Sequence, residues 1–250
     1  MSLLVPGSLA LVTGASSGIG RATCQVLARE GATVVVTCID EANANETLKL
    51  LPGSYHSVYK YDVTDFHSSQ DLMKTIVQKY NRPPNILVNC AAIVGFVTTL
   101  DETPETFQRV LQVNLMGIFF TCQAVCKELI AANLPGSIVN VSAISVLRGM
   151  EGLSAYTASK AGVDAITKCM ARDMSEHNIR VNSVQPGGIA TQMASGLGSR
   201  QKPSSSVPWI SLLATKRTGQ PQEVAEVITF LTSDRASYIN GALVPVSGGY

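Results

Sequence analysis

Two hydrophobic periodicities alternate along this chain of 250 residues. Short runs rich in aliphatic and β-branched residues, typical of buried strands, are separated by segments whose apolar residues recur every three to four positions, as in helices. The strand-like runs are Leu9–Thr13, Thr33–Cys38, Ser57–Tyr61, Ile86–Asn89, Ser137–Val141, Arg180–Val184 and Ala242–Val246. The helical patterns are Gly20–Glu30, Glu41–Leu51, Ser68–Tyr80, Pro104–Asn133, Ala155–Glu176 and Gln222–Thr232. Since parallel strands need helical crossovers, the alternation predicts an α/β fold, a doubly wound parallel sheet of seven strands with helices on both faces.

The same alternation continues without a shift in composition or an internal repeat that would mark a domain boundary. We therefore predict a single domain over residues 1–250. One irregular stretch, residues 196–208, is rich in Gly, Ser and Pro. A structureless segment near that length is usually a lid or a disordered loop, and its position after the last catalytic element favours a lid. We expect a substrate lid at approximately residues 190–215.

A glycine-rich turn joins the first predicted strand to the first helix, with the sequence Thr13-Gly14-Ala15-Ser16-Ser17-Gly18-Ile19-Gly20. In dinucleotide-binding turns, glycines permit a tight bend, close approach of the backbone to pyrophosphate and close packing of helix on strand. The helix N-terminus then offers free N–H groups to the phosphates. The spacing is G-x-x-x-G-x-G rather than G-x-G-x-x-G, so this turn alone leaves an ordinary strand-to-helix connection as the alternative.

Four polar residues downstream carry the chemistry that we expect: Asn114, Ser142, Tyr156 and Lys160. Tyr156 and Lys160 are four residues apart on a predicted helix and therefore share one face. A neighbouring ammonium favours the phenolate, so we expect Lys160 to lower the pKa of Tyr156. A proton donor of this kind is what a carbonyl needs while it accepts a hydride. Ser142 ends a predicted strand at the sheet edge where open parallel sheets bind ligands.

The remaining composition excludes several classes of function. A net charge of +1 provides no field for nucleic acid or an anionic membrane surface. The three histidines are dispersed and the six cysteines form no C-x-x-C pair, so we expect no metal site. We find no uncharged apolar run of the length that spans a bilayer, and no signal peptide. We expect a location in the cytoplasm or the mitochondrial matrix.

These motifs together resemble the short-chain dehydrogenase/reductase family, over essentially all of the chain. The matching segments are the glycine turn, Asp62-Val63, Asn89-Cys90-Ala91-Ala92, Asn114, Ser142, Tyr156-Thr157-Ala158-Ser159-Lys160, Pro186-Gly187 and Thr191. The resemblance implies a Rossmann fold and an oxidoreductase that uses NAD or NADP to interconvert a ketone and a secondary alcohol. Within the family the chain looks most similar to the 3-oxoacyl-[acyl-carrier-protein] reductases and related 17-beta-hydroxysteroid dehydrogenases.

The resemblance also implies a role for each catalytic residue. Tyr156 would donate the proton to the substrate oxygen during reduction and accept it during oxidation. Lys160 would hydrogen-bond the nicotinamide ribose besides acting on the tyrosine. Ser142 would donate a hydrogen bond to the substrate carbonyl. Asn114 would lie at a helix distortion that holds a water, completing a proton relay to the lysine.

The cofactor would be bound by a larger set of residues along the carboxyl edge of the sheet. That set is Gly14, Ser16, Ser17, Gly18, Ile19, Gly20, Cys38, Asp40, Asp62, Val63, Asn89, Ala91, Tyr156, Lys160, Pro186, Gly187, Ile189 and Thr191. NAD-preferring relatives place an acid at the end of the second strand, where this chain has Cys38, with Asp40 two residues later. Because the positions of Ser17, Cys38 and Ile39 hold no arginine, we favour NAD over NADP. A helix cap is an equally natural role for Asp40.

We expect a small apolar carbonyl or alcohol as substrate. The side chains expected to face it are Val94, Phe96, Ile144, Leu147, Met150, Met193 and Trp209. The segment Glu176-His177-Asn178 lacks the basic residue that carrier-protein reductases commonly show, so coenzyme A thioesters and hydroxysteroids stay open as substrates. By family resemblance we expect a homotetramer or a mixed tetramer with a related subunit. A catalytically idle dinucleotide-binding scaffold subunit is the alternative, as is a dehydrogenase for another small apolar alcohol.

Overall fold

A computed structural model of the chain describes residues 2–194 and 213–249. Seven strands form one parallel sheet in the order β3-β2-β1-β4-β5-β6-β7. The strands are β1 (Leu9–Thr13), β2 (Thr33–Cys38), β3 (Ser57–Lys60), β4 (Ile86–Asn89), β5 (Gly136–Val141), β6 (Ile179–Pro186) and β7 (Leu243–Val246). The prediction of a doubly wound parallel sheet with helices on both faces is confirmed.

Eight α-helices lie within the described residues. They are α1 (Gly18–Arg29), α2 (Glu41–Lys49), α3 (Ser68–Tyr80), α4 (Pro104–Leu111), α5 (Gly117–Ala131), α6 (Ser145–Arg148), α7 (Ser154–Asp173) and α8 (Pro221–Thr232). Most of the predicted lid at 190–215, together with Trp209, lies outside the described residues. The short helix α6 had no counterpart in the sequence prediction, because four residues are too few to show a helical period.

Each strand presents alternate residues to two separate hydrophobic layers. Ala10 and Val12 of β1 belong to a layer that also includes side chains of α1 and α8. Leu9 and Leu11 belong to the opposite layer, which includes side chains of α3, α5 and α7. Because both faces of the sheet are covered, its strands read as nearly continuous apolar runs. This is why their bounds could be predicted to within two residues.

The sheet order reverses between β1 and β4, and this reversal positions the site. β1 pairs with β2 on one side and with β4 on the other, so the connections leave in opposite directions. Such a switch opens a crevice outside the carboxyl ends of the strands, where open α/β sheets bind ligands. Thr13 and Asn89 are register partners at these ends. The glycine turn and the Asn89–Ala92 segment therefore start side by side.

The predicted helix Pro104–Asn133 is interrupted in the structure. Helices α4 and α5 are joined by a π-helical turn, Gln112–Met116. By length and composition the helical stretch Pro104–Ala131 could cross a membrane, and it is the one such stretch in the described part of the chain. However, 56% of its most apolar 18-residue window is buried inside the fold. That burial is what the core helix of a packed domain shows.

Candidate active site

The glycine turn is shaped by contacts that only glycine allows. Gly14 has φ = +62°, and a Cβ there would lie 2.6 Å from the backbone of Ala91. The β1–α1 turn therefore packs directly against the segment that follows β4. Gly18 also has a positive φ, +52°, and a Cβ on it would lie 3.1 Å from Cγ2 of Thr191. These contacts bring three predicted cofactor segments together at one edge of the sheet.

Helix α1 begins without a side-chain cap. Helices α2 and α4 have their first N–H groups bound by Asp40 and Thr103, whereas Ser17 at the start of α1 makes no such bond. The backbone bond from Arg21 N to Ser17 O is 3.1 Å, and the N–H groups before it are those that a helix leaves free. A cradle of free N–H groups behind a close-packed glycine turn fits the pyrophosphate of a dinucleotide.

Two side chains that the sequence analysis missed hold the carbonyl groups of this turn. Thr47 Oγ1 donates to Ala15 O at 2.8 Å. Arg21 donates through its guanidinium to Ser16 O at 2.5 Å and through Nε to Thr47 Oγ1 at 3.0 Å. With its carbonyls bound from behind, the turn can present N–H groups to the crevice. No sequence signal could have shown the Thr47 bond, because Thr47 lies 32 residues beyond Ala15 in the chain.

The end of β2 carries Cys38 where an acidic side chain would bind the ribose of NAD. Cys38 is buried, and its thiol donates to Ser16 Oγ at 3.0 Å. Asp40 Oδ1 accepts from Asn43 N at 3.0 Å, which makes Asp40 the N-cap of α2. This hydrogen bond lowers the pKa of the Asp40 carboxyl. The capping alternative for Asp40 is therefore what the structure shows, with its charge still beside the carboxyl end of β2.

Asn114 lies in the π-helical turn, as the expected helix distortion requires, and is fully buried. Its Oδ1 accepts from Ile93 N at 2.8 Å, and its Nδ2 donates to Ile93 O at 2.9 Å and to Ser159 Oγ at 3.1 Å. Both side-chain N–H groups are thus used by the protein. A water held by Asn114 would therefore have to donate to one of its carbonyl oxygens. The side chain joins the β4 loop to helix α7.

Tyr156 and Lys160 lie on one face of α7, with the Lys160 ammonium 5.7 Å from the centre of the Tyr156 ring. Lys160 is 1% exposed and donates from Nζ to Val141 O at 2.7 Å. An ammonium has three donors, so two more could bind a ribose. Burial lowers the pKa of Lys160 to about 8, against the smaller opposing effects of Cys90 and Asp164.

The tyrosine departs from one expectation. Burial raises the pKa of Tyr156 to about 12 instead of lowering it. Burial disfavours the phenolate, and the lysine that should favour it is directed toward the Val141 carbonyl. In this geometry Tyr156 is a phenol, which is the form that donates a proton. Stabilisation of the phenolate would require the ammonium to approach the hydroxyl more closely.

Ser142 also departs from its predicted geometry. It is 2% exposed, and its hydroxyl donates to Lys160 O at 3.1 Å. A serine hydroxyl carries one proton, so donation to a substrate carbonyl would require this bond to break. In the structure Ser142 joins the end of β5 to the backbone of α7. It positions the helix that carries Tyr156 and Lys160.

The adenine-side residues are divided between surface and core. Asp62 is exposed, and its Oδ1 accepts from Thr64 N at 2.9 Å. Val63 is buried. Asn89 is also buried, and its Nδ2 donates to Asn140 Oδ1 at 2.9 Å, so its side chain does not line the cleft as expected. Ala91, predicted to line the cleft together with Asn89, is half-buried, and its backbone packs against Gly14 of the glycine turn.

The loop after β6 closes the other side of the crevice. Pro186 ends β6, and Gly187 N donates to Val246 O at 3.0 Å. Ile189 is buried and Thr191 packs on Gly18. The glycine turn, α1 and this loop together line a cavity of about 650 Å³. This arrangement brings the predicted segment 186–191 against the free N-terminus of α1.

The predicted substrate-facing residues are of two kinds. Ile144 is buried, so it belongs to the core rather than to a substrate surface. Leu147, Met150 and Met193 are exposed apolar side chains. Phe96 packs on Gly152, four residues before Tyr156. Leu147 and Met150 therefore place exposed apolar surface in the segment just before the catalytic helix α7.

The glycine turn, the uncapped α1 helix and the Tyr156/Lys160 pair define a nucleotide-dependent oxidoreductase of the Rossmann type. The sequence profile described as "Enoyl-(Acyl carrier protein) reductase" matches residues 14–250. The chain belongs to the short-chain dehydrogenase/reductase family. Members of this family use NAD or NADP, and the described residues hold no cluster of metal ligands.

Individual relatives span the whole chain. It is 40% identical over 256 residues to a (3R)-3-hydroxyacyl-CoA dehydrogenase of Canis lupus familiaris, covering 99% of this chain and 97% of that one. It is 39% identical to the 3-oxoacyl-[acyl-carrier-protein] reductase FabG of Thermotoga maritima, covering 97% of each. The crystal structure of levodione reductase superimposes with a TM-score of 0.90 at 30% identity, covering 98% and 97% of the two chains. The family expected from the sequence is confirmed.

Proposed function

We propose that this protein interconverts 3-oxoacyl and 3-hydroxyacyl thioesters, with Tyr156 as the acid and base and NAD as the cofactor. The observation that carries the proposal is that Lys160, buried beside the Tyr156 ring, donates to Val141 O at the carboxyl end of β5, the sheet edge at which the uncapped α1 helix also begins. The bound nicotinamide would supply a hydride to the ketone or accept one from the alcohol. The protein's own contribution is to hold and move the proton.

In the reducing direction the Tyr156 phenol donates its proton to the substrate oxygen as negative charge develops there. A tyrosine is already a phenol at neutral pH, and burial raises the pKa of Tyr156 further, to about 12. Lys160 then stabilises the phenolate that is left, and its remaining N–H groups would hold the ribose of a bound nicotinamide cofactor. Asn114 and Ser142 hold α7 against β4 and β5, and this fixes the positions of the Tyr156 and Lys160 side chains.

The thioester assignment is supported by the two relatives at about 40% identity, whose names state acyl thioester substrates. The exposed apolar side chains Leu147, Met150 and Met193 suit an acyl chain. They would suit a steroid skeleton equally well on apolarity alone, so 17-beta-hydroxysteroids are the second substrate class that we test. A homotetramer, or a mixed tetramer with a related subunit, is the assembly that we propose.

The NAD assignment rests on charge at the carboxyl end of β2 and the start of α2, from Cys38 to Asp40, which we call the adenosine end of the crevice. The Asp40 carboxylate at the start of α2 would repel a 2′-phosphate. The nearby guanidinium of Arg21 is already bound by Ser16 O and Thr47 Oγ1. It is the cation that would have to change partners if NADP were preferred.

The test is a comparison of kcat/KM for acetoacetyl-CoA reduction by NADH and by NADPH, set beside oestradiol oxidation with NAD and NADP. We expect turnover of the thioester to exceed that of the steroid, and NADH to exceed NADPH. A clear preference for NADPH would contradict the cofactor assignment. Preference for the steroid would move the substrate assignment to that class. A protein that binds NADH but turns over none of these pairs would be the scaffold subunit instead.

A further inference from the structure

Asp164 is a buried carboxylate that the proposed mechanism does not use. It lies on α7, one helical turn beyond Lys160, and is 5% exposed. Ser183 Oγ donates to its Oδ1 at 3.1 Å, and Gln185 Nε2 donates to its Oδ2 at 2.7 Å. Both donors lie on β6, so the carboxylate is fixed between the helix and the sheet. Each of its oxygens has a named partner.

Those two partners carry no charge. Within the described part of the chain, Asp164 forms no ion pair within 4.0 Å. Burying a carboxylate is costly unless hydrogen bonds and an opposite charge compensate for the lost hydration. The hydrogen bonds from Ser183 and Gln185 supply the first kind of compensation. The opposite charge has to come from farther away than a direct ion pair.

Lys160 is the buried cation that interacts electrostatically with Asp164. Residues four apart share a helix face, and both side chains are nearly inaccessible to solvent, so screening between them is weak. Two groups favour the protonated lysine: Cys90, from the segment after β4, and Asp164, from α7. Tyr156 lies on the other side of the ammonium along the same helix. Cys90 is a thiol whose pKa burial raises to about 12, so it is neutral at pH 8. Asp164 is the partner that can carry charge.

We propose that Asp164 is a positioning residue whose carboxylate holds Lys160 in its ammonium form, ready to stabilise the Tyr156 phenolate. The inference rests on the proposed function, because it assumes that Tyr156 and Lys160 act as a pair. Asp164 follows Lys160 by four residues, as Lys160 follows Tyr156, so the three side chains lie along one face of α7. Ser183 and Gln185 orient the carboxylate without neutralising it.

The proposal predicts a change in the titration of Lys160. Without the carboxylate, the ammonium loses a favourable interaction while its burial is unchanged, so it should release its proton at lower pH. The alkaline fall in the rate of ketone reduction should then also begin at a lower pH, since the lysine is needed in its charged form.

The experiment compares Asp164→Asn with Asp173→Asn in the full-length protein. Asp173 is an exposed residue at the end of the same helix, so its substitution gives the same change in net charge. The pH midpoint of the Lys160 ¹³Cε signal is followed in lysine-labelled protein, with assignment from Lys160→Met. We expect the midpoint to fall by about one pH unit or more in Asp164→Asn, and to stay within about 0.2 unit of wild type in Asp173→Asn.

An unchanged Lys160 midpoint in folded Asp164→Asn would overturn the inference. If that variant does not fold, Asp164→Leu/Ser183→Ala/Gln185→Met replaces the whole polar cluster by apolar side chains, a change that proteins often tolerate. It should show the same fall in midpoint, and a wild-type midpoint would again overturn the inference. The NMR midpoint needs no turnover. Unchanged activity in Tyr156→Phe would contradict the proposed reaction mechanism. That result is therefore distinguishable from an unchanged Lys160 midpoint, which would contradict the Asp164 inference.

Discussion

The two ends of the crevice are held together in different ways. At the reaction end, Asn114, Ser142 and Lys160 are at most 2% exposed, and each binds a backbone group about twenty residues away in sequence. At the adenosine end, Ile39 is 62% exposed and Asp40 binds Asn43, its near neighbour in the chain. The first region is fixed by the whole fold, whereas in the second the Asp40 carboxylate is held by its own helix and Cys38 reaches another element through Ser16.

This difference teaches where substitutions should be costly. A buried side chain with long-range partners affects both the chemistry and the packing of the elements that it joins. An exposed side chain with local partners can change with little effect on the fold. We therefore expect changes at the reaction end to reduce rate or stability by large factors. Changes at the adenosine end should alter the preference between NAD and NADP only by small factors.

The largest effect should come from Tyr156→Phe, which removes the proton donor and keeps the ring. We expect kcat/KM for ketone reduction to fall by about 10²–10⁴-fold, the usual contribution of an acid–base group. Tyr238→Phe is the matched control, since Tyr238 is fully exposed. Steady-state kinetics with a melting curve for each variant is the measurement. Full activity in Tyr156→Phe would disprove the proposed mechanism.

A second effect of the reaction end is on stability. The pKa of Lys160 is lowered by burial from 10.5 to about 8. Between those values the unfolded chain holds a proton that the folded chain has released, so this group's contribution to stability grows as pH rises through that window and is lost as pH falls through it. From pH 8 to 10 the gain should be about 2–3 kcal/mol, at 1.36 kcal/mol per unit.

The measurement is the free energy of unfolding in urea at pH 8, 9 and 10 for wild type and Lys160→Met. The buried thiols and Tyr156 have raised pKa values and act in the opposite direction, but they are common to both proteins. The difference between the two proteins isolates the lysine. Lys168→Met, an exposed position on the same helix, should show no such pH-dependent difference. A flat difference for Lys160→Met would show that the lysine is not buried as described.

Ser142→Ala distinguishes a positioning serine from a carbonyl donor. Loss of the hydrogen bond to Lys160 O should cost about 1 kcal/mol of stability. The reduction in kcat should stay below about tenfold, because the hydroxyl proton is already used by the protein. Removal of a donor that stabilises a developing oxyanion typically costs about 10²–10³-fold. A loss of that size would return Ser142 to its predicted role at the substrate carbonyl.

The fold could be predicted closely because its signals are local and repeated. The apolar strands, the helical periods and the positions of Tyr156 and Lys160 on one helix face all follow from spacing. The π-helical turn at Asn114 was expected from family resemblance, not from the helical pattern, which runs through it without a break. The order of the motifs along the chain was sufficient to predict that the catalytic and cofactor segments lie at one edge of the sheet.

What could not be predicted depends on contacts between distant parts of the chain. The inward hydroxyl of Ser142, the Asn89–Asn140 bond and the bond from Thr47 to Ala15 O in the glycine turn each join different elements. The raised pKa of Tyr156 likewise reflects burial, which spacing along a helix does not show. Sequence therefore identifies the reacting groups better than it identifies the direction in which each one donates.

The smallest expected effect is at the adenosine end, in Cys38→Asp. A carboxylate there can accept hydrogen bonds from the ribose hydroxyls of NAD and would repel a 2′-phosphate. We expect the ratio of kcat/KM for NADH over NADPH to rise by about tenfold, which corresponds to about 1.4 kcal/mol. Because Cys38 is buried and binds Ser16, a small loss of stability should accompany the change. Cys169→Asp, at an exposed cysteine, controls for the added charge. An unchanged or reduced ratio would contradict the assignment of cofactor preference to the end of β2.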